Sequence, residues 1–296
     1  MCIRDSCNKL WNATKFLHLQ FEAEQGGPVA EPPGGCEAWL KANRTKLTPV
    51  NRWILSRSQE VCTQVEGGFE RFELNTSAQA IYEFAWLELC DWFIEFSKRP
   101  LREGGEARLQ TIYTLHYVLE KLLRLMHPVT PFVTEELWQS LPWKHAANTP
   151  ARKRDGKAEL MTLMFQPFPK ADREFLDDGA VKTVKRMQMV IERIRNFRGE
   201  NNISPKQDFE IRLRTETTEA QAFFEEHGDD LKMLARFSAL VRMIADNTTE
   251  DEAVIPLSDG LGEFRIPLKG LVDTDAETAR LRKEIEKVNG DIQFIR

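Results

Sequence analysis

At 296 residues, 42% hydrophobic and 29% charged, the chain has the make-up of a soluble globular protein of two or three domains. No apolar run approaches the roughly 20 residues that span a bilayer and no export signal opens the chain, so no membrane partner and a cytoplasmic location are expected. A formal charge of -5 excludes a uniformly basic nucleic-acid binder and confines any RNA contact to a local patch, while five scattered cysteines and five scattered histidines argue against a disulfide framework or a metal centre.

The stretch CNKLWNATKFLHLQF, residues 7–21, reads as a helix. Leu10, Leu17 and Phe21 recur at helical spacing on an apolar face, and Asn8, Asn12, Lys15 and Leu19 follow another at steps of three and four. The preceding MCIRDS has no periodicity that continues into this helix, and residues 1–6 are expected to be a non-native leader. EQGGPVAEPPGGCEA reads as a surface loop, because its glycines and prolines disfavour helix. A second helix restarts with Thr48 as N-cap and Pro49 in its first turn, and carries Val50, Ile54, Val61 and Val65 inward.

The helix expected over 74–98 has two apolar stripes. Ile81, Ala85, Leu89, Trp92 and Phe96 make one, and Ala78, Tyr82, Trp86, Cys90 and Ile94 the other, which predicts a central helix of a bundle that ends at Pro100. Trp53, Trp86 and Trp92 are expected in the core. A leucine-rich helix over 108–126 closes at HPVTPF, where Thr130 and Pro131 start the next one with Glu135 and Glu136 near its positive end. The polar, basic segment 144–158 reads as a mobile insertion.

A long helix is expected over 173–197, with Val184, Ile191 and Ile194 on one side and Lys182, Arg186 and Arg193 on a basic side. From residue 201 the texture changes to short strands around one helix, EAQAFFEEHGDDLKMLARF, which predicts a small α/β module over 201–270. The last stretch, 271–296, places Leu281, Ile285, Val288, Ile292 and Ile295 on a heptad seam and stops without a terminating signal, so the chain is read as cut at both ends. The expected architecture is therefore mainly α: a helical bundle over 7–200, the α/β module, and the start of a coiled-coil arm.

The chain has no phosphate-binding loop, dinucleotide fingerprint, nucleophile elbow or catalytic carboxylate pair, so it is not expected to catalyse by itself. The segments CNKLWNATKF, RWILSR, IYEFAWLELCDWFIEFSK, LLRLMHPVTPFVTEELWQSLP, RIRNFRGENNISP and IPLKGLVDTDAETARLRKEIEK, in this order, resemble the C-terminal portion of the bacterial valyl-tRNA synthetase family, a class I family. The resemblance covers nearly all of 7–296. It implies an anticodon-binding bundle and the first helix of a tRNA-bracing arm, within a ligase that joins valine to tRNA(Val) using ATP with magnesium. The family's HIGH-type and KMSKS-type signatures and its editing domain do not occur here, so no cofactor is expected in this part. The partner implied is tRNA(Val), with a monomeric protein and no DNA.

Within that resemblance, carboxamides that can pair with base edges, a ring that can stack and an ammonium that can meet phosphate point to Asn8, Asn12, Lys15 and Phe16 as one wall of an anticodon site. Cys90, Ile94 and Lys98, spaced by four, are the candidate second wall. Core packing of Phe16 and plain solvation of Lys15 are the competing readings, and the resemblance tips both toward contact. Arg195 and Arg198, beside GENNISP, are candidate phosphate contacts that position RNA without reading its sequence, against the bland alternative of a solvated face. Two other identities stay open: the same region of an isoleucyl- or leucyl-tRNA synthetase, and a helical scaffold that binds protein through the heptad seam. No cysteine follows Cys90, which disfavours the cysteine-rich zinc module with which the isoleucine enzymes commonly end.

Overall fold

The computed structural model describes residues 3–22, 29–143, 153–154, 157–158, 162–204, 206–243 and 252–268, together with Leu271 and Ile285. The chain divides into two compact units, Met1–Val184 and Lys185–Arg296, and the division falls inside one helix. Mainly helical structure is followed by a small four-stranded sheet, the fold class expected from the sequence. Among the described residues no helix is long and apolar enough to cross a membrane.

The first unit opens with α1 (Ile3–Glu22), which starts four residues earlier than its apolar periodicity indicated. Leu10 and Leu17 are buried as expected, and Phe21 meets the Trp143 ring edge-on at 4.7 Å. The expected loop is shorter than predicted, because α2 (Gly35–Ala42) begins within it. Gly34 takes a left-handed conformation (φ 78°), and the new helix is anchored by the buried Cys36 and Leu40. In α3 (Pro49–Glu70), Thr48 caps as predicted, its side chain accepting from the Asn51 amide at 3.2 Å.

The helix expected over 74–98 is three segments in line: α4 (Leu74–Glu83), a π-helical stretch (Phe84–Phe93) and α5 (Ile94–Glu103). The Ile94 amide bonds to the Leu89 carbonyl five residues back, and this wider winding shifts the inward face. Phe84, Ala85, Leu89, Phe93 and Phe96 are buried, Trp92 is half-buried, and the second stripe holds only in part: Trp86 is buried, Tyr82, Cys90 and Ile94 are half-buried, and Ala78 is exposed. Pro100 does not end the helix. It sits in the final turn, where the single amide bond it forfeits is tolerated, and Gly104 at φ 81° makes the actual stop.

The element surrounded on all sides is α6 (Gly105–Met126), which packs against α2, α3, α5 and α7 (Pro131–Ser140). Many of its polar side chains are therefore buried, and several of these are partnered: Lys121 Nζ donates to Gln59 Oε1 at 2.6 Å and Tyr117 Oη at 3.1 Å, and the half-buried Arg124 reaches the buried Glu120 at 2.7 Å. Of the segment 144–158 the structure describes β1 (Lys153–Arg154) and its antiparallel partner β2 (Lys157–Ala158). The helix expected to begin at 173 starts later, as α8 (Asp178–Glu200). Arg173–Phe175 is instead a 3-10 turn, and Asp177 accepts from the Ala180 amide at 2.9 Å to cap α8.

In the second unit the expected strand is β3 (Glu210–Arg214), with Ile211 and Leu213 buried. It continues through α9 (Thr218–Ala235) to the parallel β4 (Ala239–Arg242), a crossover unit, while β5 (Glu252–Leu257) and β6 (Gly262–Pro267) form a hairpin. The sheet order is β4-β3-β6-β5. Phe224 of α9 packs edge-on against Phe264 of β6 at 5.7 Å, and Phe197 of α8 against Phe209 at 6.0 Å. The heptad seam lies outside the described residues except for Ile285.

Candidate nucleic-acid interface

The buried side of α1 leaves a solvent face on which Asn8, Asn12 and Lys15 are all exposed. Trp11 belongs to the same face, three residues after Asn8 and four before Lys15, and it is 50% exposed. Sequence reasoning passed over it, although its spacing from the two asparagines was a usable signal. An indole half in water at the centre of two carboxamides and an ammonium forms a flat apolar platform ringed by hydrogen-bonding groups. Leu19, also exposed, continues the face. Phe16 lies on its flank and is half-buried, so its ring is neither wholly core nor wholly free.

Polar contacts near both ends help to hold the helix that carries this face. Arg108 Nη2 donates to the Gln20 carbonyl at 2.6 Å near the C-terminal end of α1. Nearer the N-terminal end, Lys9 Nζ forms an ion pair with Asp91 Oδ1 at 2.8 Å, which ties α1 to the π-helical stretch. The hydrogen bond to Asp91 raises the Lys9 pKa above its ordinary value against the opposing effect of partial burial, and the field of Cys90 adds to it. Cys90 thus lies near Lys9 of α1. Ile94 is half-buried one turn on, and Lys98 is exposed with its ammonium on Glu95, so its charge is partly answered within α5.

Burial pushes the Cys90 thiol up to about 12. It therefore presents a neutral S–H to a ligand rather than a thiolate. Alkylation of Cys90 by iodoacetamide at pH 8 is expected to run about a thousandfold slower than for a thiol of ordinary pKa, from the thiolate fraction alone. Peptide mapping with a time course checks this, and a rate within tenfold of a free thiol would contradict it.

Arg195 and Arg198 lie in the second unit. Arg195 is exposed, and its Nε and Nη2 donate to the Leu234 carbonyl at 3.3 and 3.0 Å. Arg198 departs from the expectation of a surface phosphate contact: it is only 8% exposed. Its Nη1 donates to the carbonyls of Ser204 at 3.1 Å and Gln207 at 3.0 Å, its Nη2 donates to that of Arg236, and its guanidinium stacks on Phe209 at 4.6 Å. Burial lowers its pKa from the ordinary value, with Asp208 opposing the shift and Arg236 adding to it. The side chain is long enough to gather three backbone carbonyls of this corner, a task no sequence spacing announces. Among the described residues no cluster of three or more His, Cys, Asp or Glu side chains is placed to hold a metal ion.

Residues 51–214 match the family described as the anticodon-binding domain of tRNA ligase. Over 290 residues the chain is 36% identical to the valine–tRNA ligase of Stenotrophomonas maltophilia strain R551-3, an alignment covering 96% of this chain and 28% of that protein. It is 35% identical over 293 residues to the valine–tRNA ligase of strain K279a, covering 97% of this chain and 28% of the relative. The chain therefore spans less than a third of the length of these relatives. The family match begins at Asn51, so the exposed face of α1 lies ahead of it.

Proposed function

The chain belongs to the anticodon-binding domain family of tRNA ligases, and from that premise we propose that it is the anticodon-reading part of a valine–tRNA ligase, with tRNA(Val) as its partner. The observation that carries the proposal is the α1 face, where exposed Trp11 stands among Asn8, Asn12 and Lys15. Unpaired loop bases present a stacking face and a Watson-Crick edge, and they are read by aromatic platforms flanked by side-chain amides. In this reading a splayed base stacks on Trp11, the carboxamides of Asn8 and Asn12 meet base edges, and Lys15 meets a backbone phosphate. Phe16 and the neutral Cys90 thiol border the site where Lys9 and Asp91 join the helices. Duplex DNA offers no unpaired bases to such a platform and is not proposed as a ligand.

The names of the relatives support valine as the amino acid and a ligase as the parent activity. ATP and magnesium are assigned to the catalytic part of that ligase, and this segment contributes no cofactor of its own. We place the protein in the cytoplasm, as a monomer. Filter binding of a valine anticodon stem-loop to the 296-residue chain across a salt series tests the role of Lys15. Lys15→Ala is expected to weaken all loops alike and to lower the log–log salt slope by about 0.7, the value for one single-strand phosphate contact. Unchanged affinity and slope would remove Lys15 from the interface.

A further inference from the structure

The turn from α3 to α4 and the turn from α6 to α7 lie at one end of the first unit, joined by the segment 162–168 that crosses between them. The segment starts on α7, where Thr162 Oγ1 and the Leu163 amide both donate to Glu135 Oε2 at 2.9 Å. It passes the last turn of α6, where Arg124 Nη1 donates to the Pro167 carbonyl at 3.2 Å, and reaches the last turn of α3, where Phe168 meets the Phe69 ring edge-on at 5.8 Å.

Apolar side chains stand in water across this end. In the α3–α4 turn Phe72 is 90% exposed, with Leu74 exposed beside it, and in the first turn of α7 Phe132 is 91% exposed, with Val129 just ahead of it. Met164, Phe165 and Phe168 add exposed side chains from the crossing segment. Single apolar residues on a surface are ordinary. Here, of the eleven large ones exposed among the described residues of the first unit, seven share one end, and a cluster of that kind marks an interaction surface.

The chemistry of the cluster selects the partner. The stretches PVTPF (128–132) and TLMFQPFP (162–169) carry no ionisable side chain, and the guanidinium groups at the border are answered, Arg71 by Glu73 at 3.0 Å and Arg124 by Glu120 at 2.7 Å. RNA demands cations that neutralise its phosphates, so this end does not suit the ligand proposed for α1. Depletion of charge with enrichment in phenylalanine and methionine is the make-up of the buried core of a protein interface. The aligned valine–tRNA ligases extend far beyond this segment, since the chain covers 28% of each. A covalent tether to that remainder raises its effective concentration at the cluster, whereas a second copy of the chain would bear the full entropic cost of association.

We propose that this apolar end of the bundle docks against the remaining part of the ligase polypeptide, with Phe72 and Phe132 as its anchors. The proposal rests on the reading of the chain as part of a valine–tRNA ligase. Docking here converts a tether into a fixed orientation, so that an RNA held on the α1 face meets the rest of the enzyme in one pose.

The test exchanges the aligned segment of the Stenotrophomonas maltophilia R551-3 ligase for this chain and compares hydroxyl-radical footprints of the chimera and of the 296-residue chain alone. Oxidation of Phe132 and Met164 is expected to slow by about tenfold in the chimera, as for side chains passing from open surface into an interface core, while Trp11 reacts equally in both. Phe72→Gly, which suits the left-handed backbone at φ 59°, and Phe132→Ser are expected to leave the melting of the isolated chain no lower. Together in the chimera they should return Met164 to the rate of the isolated chain. Equal wild-type rates in the chimera and the isolated chain would overturn the proposal. So would protection in the isolated chain that grows with its concentration, which makes a second copy the occupant. Valylation of tRNA by the chimera separates the two readings: charging with an open apolar end overturns the docking and keeps the ligase reading, protection without charging keeps the docking and removes the anticodon-reading role, and neither removes both.

Discussion

Trp138→Ala is expected to destabilise the first unit by about 3–5 kcal/mol. The Trp138 side chain is 1% exposed where α7 packs on α6, and truncation leaves a cavity that a helix held from several sides cannot collapse to fill. The loss is more than volume. The indole Nε1–H donates to Glu120 Oε1 at 3.3 Å, and Glu120 is itself buried, with its other oxygen accepting from Arg124 at 2.7 Å. Truncation strips one donor from a buried carboxylate, which pushes the cost toward the upper end of the range. Trp138→Phe keeps most of the ring and loses only the N–H, for which about 1–2 kcal/mol is expected. All seven tryptophans fall in the first unit, so urea unfolding followed by tryptophan fluorescence reports on it selectively. A loss below about 1 kcal/mol for the alanine variant, well under the usual range, would contradict the packing of α7 on α6.

Gly262→Ala is the corresponding test of the second unit. Gly262 opens β6 at φ 97°, and a Cβ there would stand 2.0 Å from the Arg214 carbonyl oxygen at the end of β3. Two costs combine: a conformation that L side chains rarely adopt, and a collision with backbone rather than with a movable side chain. Together they amount to about 2–6 kcal/mol. The β3–β6 pairing, Arg212 to Arg265 through Arg214 to Glu263, is what the methyl group would force apart. Amide exchange at Leu213 and Phe264 is therefore expected to accelerate by a factor of about 30 or more, the equivalent of roughly 2 kcal/mol. Unchanged exchange would mean that β6 does not approach β3 as described.

The parts of this fold legible in the sequence are those set by local periodicity. Leu10 and Leu17, Ile54, Val61 and Val65, and Ile211 with Leu213 all face inward as their spacing indicated, and the Thr48 cap with Pro49 marked the start of α3. The π-helical stretch was not legible, because a reading at 3.6 residues per turn assigns inward faces on the assumption that the winding never changes. Trp92 was placed inward by that assumption and is half-buried; Ala78, also placed inward, lies in α4 ahead of the π-helical stretch and is exposed. The parallel pairing of β3 with β4 depends on contacts across α9 rather than on spacing within either strand. At the candidate site, the exposed amides and the ammonium of α1 followed from its amphipathic pattern, whereas Trp11 was missed because a large aromatic residue is expected inside. The burial of Arg198 escaped for the converse reason, since a charged residue near a helix end is expected outside.

The central claim is that the exposed face of α1 reads an anticodon loop, and the most direct test compares binding of the chain to a valine anticodon stem-loop with binding to one whose anticodon bases are exchanged. Wild-type protein is expected to prefer the matching loop. Trp11→Ala is expected to weaken that binding by about 1–3 kcal/mol, the worth of one base stacked on an aromatic ring, with the salt slope unchanged. Equal wild-type affinity for both loops, or a Trp11→Ala variant that binds as well as wild type, would contradict the claim and leave this face as ordinary bundle surface.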